Sequence, residues 1–390
     1  MKTKTIVLSV VASALPALCI ANNKLNMVIG TYTDNGSKGV YSFLFDQQTG
    51  KATAQHSLAL KNPSYLAFAP NGRYFYAVSE NNDTTASLNA IAFDRDGSMT
   101  LVNTQRTHGE DPCYVETDGH VVMTANYSGG SLSVFPIAAD GSLKPMTSQH
   151  KGTIGGPDLT RQDKPHVHCT RFTKDGYMLA TNFSADQILS FKYNKTAGTL
   201  TPYSVPVDVD KDSGPRHLTF SPNGKDVYLM SELSGDITAF NYANGLLKRF
   251  QTIAADDAKA RGGADIHLSP DGKFVYASTR LKGDGITIFK RLASGKLVRV
   301  GQQPTGLHPR NFIITPNGKF VLIACRDANK IQVYARNPQT GLLSDTHQDI
   351  FGSASRMREV CTSATSIEIL QVFAMLSDHF CSIISSKIKQ

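Results

Sequence analysis

Residues 63–80 read PSYLAFAPNGRYFYAVSE: a short apolar run, a Pro-Asn-Gly turn, then a second apolar run. Asn-Gly or Asp-Gly between two such runs is the strongest short-range hairpin signal, because both dipeptides tolerate the positive φ of tight primed turns. The layout returns five times: DPCYVETDGHVVMTANYS from 111, KPHVHCTRFTKDGYMLATNFS from 164, GPRHLTFSPNGKDVYLMSELS from 214, GGADIHLSPDGKFVYASTRL from 262 and HPRNFIITPNGKFVLIACRD from 308. Its turn glycines are Gly72, Gly119, Gly176, Gly224, Gly272 and Gly318, spaced by 47, 57, 48, 48 and 46 residues. A third strand (SLSVFPI, GITIFKR) and a second turn (AADGSL, LASGKL) follow the hairpins. Four short strands per unit at this period specify a β-propeller blade. A helical solenoid would show a 3.6-residue periodicity, and no unit has one.

Six units need a seventh to close a ring. The N-terminal NMVIGTYTDNGSKGVYSFLFDQQTGKA supplies the second and third strands of a blade without the first. That innermost strand has to come from the C-terminus, which hides both free edges. The expected fold is therefore all-β: a seven-bladed β-propeller of four-stranded antiparallel blades, its closing blade shared by the termini. The tail itself argues against easy closure. From about residue 351 the turn signals stop, and Ile367, Leu370, Phe373, Leu376 and Phe380 recur at helical spacing. Residues 351–390 are thus expected to be irregular or helical rather than a regular blade strand, leaving the closing blade incomplete.

The chain has 390 residues, 41% hydrophobic and 18% charged, with no tryptophan, which is the make-up of a globular protein with a large core. The balance of +8 is scattered, with no basic run interleaved with aromatics, so a nucleic-acid partner is not expected. MKTK followed by TIVLSVVASALPALCIA has the layout of a secretory signal peptide over residues 1–21, which predicts export to the periplasm. Lipid anchoring at Cys19 is not expected, because the preceding PAL lacks the small residue such a site takes. The propeller then occupies 22–350, with no further segment able to cross a membrane. After cleavage five cysteines are left, Cys113, Cys169, Cys325, Cys361 and Cys381; they are far apart and form no disulfide framework.

The innermost strand of each unit begins just before its turn signal and lines the central channel. HVH, PRH, DIH and PR stand at that point in the third to sixth units. His166, His168, Arg216, His217, His267 and Arg310 are therefore expected to converge on one end of the channel. Glu232 and Arg280 hold matching positions after the second strands of consecutive units. Two histidines one residue apart on a strand should also face one space together.

GTYTDNGSKGVYSFLFDQQTG, GPRHLTFSPNGKDVYLMSEL, ADIHLSPDGKFVYASTR and HPRNFIITPNGKFVLIACRDANKIQVYARNPQTGLL together resemble the lactonase family of seven-bladed propellers, over roughly residues 26–347. That family includes bacterial 6-phosphogluconolactonases of the propeller type and carboxy-cis,cis-muconate lactonising enzymes. The resemblance implies lactone hydrolysis, or the reverse lactonisation, with no metal or cofactor. It marks one histidine of PHVH (His166 or His168), Arg216, Glu232 and Arg280 as catalytic residues, with His217, His267 and Arg310 as substrate-binding neighbours. The chemistry suits the set: a base activates water, and cationic donors receive the oxyanion that develops on the carbonyl. Glu232 orients an arginine or histidine, or acts as base if its pKa is raised. The expected partner is a small-molecule lactone, the expected state a monomer. Two other readings stand beside this one. The first is a non-catalytic envelope propeller that binds a peptide or glycan; the second is a metal site built from His166, His168, His217 and His267.

Overall fold

The turn glycines fix how each blade begins. In this computed structural model, which describes residues 23–34, 36–350 and the backbone of 374–376, Gly72, Gly224, Gly272 and Gly318 take φ of 66°, 72°, 67° and 69°. Their N–H groups donate to the carbonyls of Ala69, Ser221, Ser269 and Thr315, three residues back. The intervening Pro-Asn or Pro-Asp keeps negative φ. These are type I turns closed by a left-handed glycine, not the primed turns expected from Asn-Gly. Proline locks φ near −65°, which a primed turn cannot accept at its first central position. Thr173–Gly176 closes the same way without proline, so the loop ending in a left-handed glycine is enough.

Seven antiparallel sheets follow, and no helix occurs among the described residues. Six blades span 66–106, 112–151, 167–208, 215–254, 263–304 and 309–350, each with its strands in chain order from the channel outward. The third blade differs at its rim, where Thr199–Pro202 and Val207–Asp208 cover one strand in two pieces. Apolar side chains of the middle strands meet those of the next blade, so the core lies between blades. The second turns lock neighbours together. Tyr76, Tyr228 and Tyr276 donate their hydroxyls to the carbonyls of Gly141, Gly295 and Gly341 in the following blade, at 3.1, 2.7 and 2.7 Å. Gly341 has φ +77, and a Cβ there would stand 2.3 Å from the Phe274 ring, so only glycine fits.

The closing blade joins both termini. Lys24–Gly30 pairs with Gly39–Asp46, which pairs with Ala52–Ala59. On the channel side, Ala374–Leu376 pairs antiparallel with Asn26–Val28. The helical expectation for the tail is therefore corrected at these three residues, which are extended. The physical reason is the open edge of Lys24–Gly30, whose unpaired backbone groups recruit a strand even from a sequence with helical spacing. The rest of 351–390, REVCTSA included, lies outside the described residues, as does the signal peptide at 1–21.

This generates a test. Ending the chain at Ile350 strips the innermost strand from an apolar edge. Calorimetry should show the melting temperature falling by several degrees, the effect of about 1–3 kcal/mol in a domain of this size. Size-exclusion chromatography should show new association through the bared edge. An unchanged melting temperature and profile would mean that Ala374–Leu376 contributes nothing to closure.

Candidate active site

The pairing slips at the same place in five blades. At the start of the innermost strand, the register jumps between Pro112 and Tyr114, Val167 and Cys169, Pro215 and His217, Gly263 and Ile266, and Pro309 and Asn311. A β-bulge places two residues opposite one and re-aims a side chain. The residues inserted are Cys113, His168, Arg216, Ala264 with Asp265, and Arg310. A second set follows the second strands: Glu80, Tyr127, Phe183, Glu232, Arg280 and Arg326 each come directly after the strand's last residue. The two sets meet at one end of the channel.

Glu232 is the meeting point. Arg216 Nε donates to its Oε2 at 2.9 Å, Arg280 Nη2 lies 3.2 Å from the same oxygen, and Arg161 Nη2 lies 2.6 Å from Oε1. Burial pushes this carboxyl up, but Arg280, Arg216 and Arg161 outweigh burial and hold it well below the usual carboxylate range. Glu232 is thus held in its ionised form, and the raised pKa that a base role needs is absent. Arg280 also donates to the carbonyls of Gly262 and Gly263, and Arg216 to that of Ala264. Burial and the nearby Arg216 and Arg310 pull Arg280 down; Glu232 opposes them, and the group stays charged at neutral pH.

The histidines divide by partner. His166 stacks on Tyr127 at 4.1 Å and 5°, with Nδ1 2.8 Å from the Tyr127 carbonyl. A carbonyl only accepts, so Nδ1 carries the proton and Nε2 keeps a lone pair. His168 meets the same tyrosine edge-on at 5.7 Å, yet its Nδ1 is buried without a partner among the described residues. Both touch one ring, although the period-two argument for their facing together fails: His166 precedes the strand Val167–Phe172, and His168 is the bulged residue. Burial, with Arg216, His217 and Arg310, holds His168 well below its ordinary value; burial lowers His166 too, against the Tyr127 hydrogen bond.

His217 and His267 share Asp265, at 2.7 Å from Nδ1 and 2.9 Å from Nε2 respectively. Asn311 Nδ2 and the Phe312 amide also donate to this buried carboxylate. Burial pushes Asp265 up; His267 and His217 outweigh it and hold it low. Arg310 stands apart from Glu232's contacts, beside Tyr32 and Glu80. Burial pulls it down, but Tyr32 and Glu80 raise it above its ordinary value. Among the described residues, no three His, Cys, Asp or Glu side chains group to hold a metal.

Sequence reasoning missed Arg161, Asp265 and His308. Arg161 lies in the unit whose spacing, 57 residues against 48 for the next, marks nine extra residues before its innermost strand. Asp158 of that insertion pairs with Arg261 at 2.6 Å, which fastens the insertion across to the loop entering the fifth blade. Asp265 sits within ADIH, where a carboxylate interrupts an inward strand. For His308 the sequence carried no comparable signal.

The chain matches a family model described as lactonase, 7-bladed beta-propeller, over residues 26–357. It is 34% identical over 350 residues to a protein of Formosa agariphila named 6-phosphogluconolactonase, with 86% of this chain and 99% of that one covered. A crystal structure from Bacteroides uniformis, described as a candidate 6-phosphogluconolactonase, superposes with TM-score 0.85 at 53% identity, covering 91% of this chain and all of the other. A periplasmic gluconolactonase of Pseudomonas aeruginosa gives TM-score 0.80 at 30% identity, covering 90% and 99%.

The buried histidines set an acid response. His217 is pulled down to about 4 by burial and by Arg216, and His308 to about 3 by burial and by Arg280. An unfolded histidine titrates near 6.5, so between about pH 6.5 and 4 the unfolded chain binds more protons than the folded one. Stability is complete above pH 6.5 and is lost as pH falls through that window. Below it, loss continues as the low-lying Glu232 and Asp265 favour protonation in the unfolded chain. The melting temperature should fall monotonically from pH 7 to 4, with net proton uptake on unfolding at pH 5. A flat or rising melting temperature over that range would contradict the placement of these histidines.

Proposed function

The chain belongs to the lactonase family of seven-bladed β-propellers, and from that membership and the site we propose that it hydrolyses a sugar lactone of the gluconolactone type. The observation that carries the reading is the ionised Glu232 held by Arg161, Arg216 and Arg280 at the channel mouth, beside His166, whose Nε2 donates to nothing and has the Asp163 carboxylate 3.9 Å away. A binding scaffold has no need of three guanidinium groups around one buried carboxylate.

In this mechanism His166 Nε2 takes a proton from water as the oxygen attacks the lactone carbonyl. The carbonyl oxygen becomes an oxyanion and is received by the arginine donors; Arg216 Nη2 is not used by the contacts described above. Collapse of the tetrahedral intermediate breaks the ring C–O bond, and the departing alkoxide recovers the proton from the His166 imidazolium. The ring-opened hydroxy acid leaves. General-base help of this kind is worth about 10²–10⁴-fold, and one oxyanion donor about 10²–10³-fold. His168 is the weaker base candidate, since its burial opposes the imidazolium that must form. Glu232 holds the arginines in place and takes no proton. The lead sequence 1–21 and the periplasmic gluconolactonase of Pseudomonas aeruginosa support an exported enzyme acting on a lactone outside the cytosol. Cell fractionation checks that placement.

The decisive experiment incubates the purified protein with glucono-1,5-lactone and with its 6-phosphate and follows acid release in a pH-stat. Hydrolysis no faster than the spontaneous rate for either would overturn the reading in favour of a binding propeller. Two variants then locate the machinery. Arg161 has a side chain 38% exposed, so Arg161→Met should spare the fold and lower kcat/KM by about 10-fold or more. His166→Gln should lower kcat by about 10²-fold or more, and more than His168→Gln does. Wild-type rates in both Arg161→Met and His166→Gln would place the site wrongly. Chelation should leave activity intact, and a strict requirement for added divalent ions would exclude this mechanism.

A further inference from the structure

The two buried arginines beside Glu232 both end on a histidine. Arg216 Nη1 lies 3.2 Å from His217 Nε2, and His217 Nδ1 lies 2.7 Å from Asp265 Oδ1. Arg280 Nη1 lies 3.2 Å from His308 Nε2, and His308 Nδ1 lies 3.1 Å from Asp327 Oδ2. An arginine offers only N–H groups, so each Nε2 must present a lone pair. The ring proton then sits on Nδ1 and points at the carboxylate. Two chains of the order Asp, His, Arg thus run to one atom, Glu232 Oε2, at 2.9 and 3.2 Å.

The two chains are built from non-equivalent positions. In one, the histidine follows its arginine directly and the aspartate is the bulged residue of the next blade. In the other, the histidine lies 28 residues beyond the arginine, in the loop entering the sixth blade, and the aspartate follows that blade's second strand. Copying of one repeat unit would not produce this. His308 is held at φ +58, a left-handed conformation that a histidine adopts at a cost of about 1 kcal/mol or more. Its amide donates to Asp284 Oδ1 at 2.7 Å and its carbonyl accepts from the Arg326 amide at 2.9 Å, which hold the strained residue in place.

Resting on the lactonase reading, we propose that the pairs Asp265–His217 and Asp327–His308 are positioning pairs that aim the Arg216 and Arg280 guanidinium groups at Glu232 and the reacting carbonyl. His217, expected from sequence to bind substrate, is thereby reassigned to a place behind the arginine. The low values of His217 and His308 accord with this, because a second proton on either ring would set an N–H against an arginine N–H.

Asp327 is the residue to change, because its side chain is 44% exposed and its loss leaves the core intact. In Asp327→Asn the amide can donate to Nδ1, which drives the His308 proton onto Nε2, facing Arg280. Nitrogen-15 spectra of the imidazole, assigned with His308→Gln, should show the Nδ1–H form in the wild type and its loss in Asp327→Asn. That variant should lose about 10-fold or more in kcat on glucono-1,5-lactone with little change in melting temperature, and Asp327→Glu should recover most of it. A wild-type His308 in the Nε2–H or imidazolium form, or an Asp327→Asn enzyme with unchanged kcat, would overturn the proposal. A wild type inactive on lactones would instead remove the functional reading, and the tautomer measurement would still decide the pairs.

Discussion

Closure of the ring is the constraint on which everything else depends. A sheet with an open edge exposes a row of unpaired backbone groups, and seven blades around a channel leave such an edge wherever the first meets the last. Among the described residues, Ala374–Leu376 fills the gap by pairing with Asn26–Val28 of the strand Lys24–Gly30. Contacts between blades add to that pairing. The Tyr76, Tyr228 and Tyr276 hydroxyls each reach into a turn of the next blade, and the Tyr74 ring, the Asp226 carboxylate and the Phe274 ring fill the space beside Gly141, Gly295 and Gly341. Each hydrogen bond is worth about 1 kcal/mol, but the apolar burial it accompanies is larger. These contacts fasten three of the seams between neighbouring blades, apart from the pairing that closes the ring.

The same geometry produces the site. Innermost strands converge on the channel, and a strict two-residue alternation would send every second side chain into a blade seam. The bulge at the start of the strand breaks that alternation and turns His168, Arg216, Asp265 and Arg310 toward one another. Burying so many polar groups is costly unless each is paired. Glu232 answers the arginines, Asp265 answers His217 and His267, and Glu80 with Tyr32 answers Arg310. One exception is His168 Nδ1, which has no protein partner among the described residues and so is available to water or a bound ligand; Thr170 Oγ1 and Ser231 Oγ are others.

Much of this was legible because repetition averages out local ambiguity. One Asn-Gly or Asp-Gly turn suggests a hairpin; six, spaced by 46 to 57 residues, specify blades and place Glu232 and Arg280 in register. The dipeptide alone does not give the turn type. At four of the six turns proline excludes the primed form that Asn-Gly or Asp-Gly suggests, and at Thr173–Gly176 a left-handed glycine closes the same loop without proline. Bulges leave no trace in composition, so the facing of His166 and His168 could not be read from spacing. Arg161 reaches Glu232 across 71 residues of chain from an insertion outside the repeat, where periodicity says nothing. His308 holds its role through a left-handed backbone that no residue pattern announces. The tail shows the converse: helical spacing in the sequence was overridden at 374–376 by an edge that only the completed ring creates.

Arg161, Arg216, Arg280 and Arg310 bring four guanidinium groups to the mouth, where Glu232, Asp265 and Glu80 face them. His168, His217 and His308 add little to that positive charge, because burial first and the arginines second hold all three low. A protonated histidine among four guanidinium groups would be repelled, and the site would lose the free Nε2 atoms that receive Arg216 and Arg280. In the hydrolysis proposed above, guanidinium groups in a low-dielectric mouth would favour the state in which negative charge appears on the carbonyl oxygen, and a lactone carbonyl is itself already electrophilic.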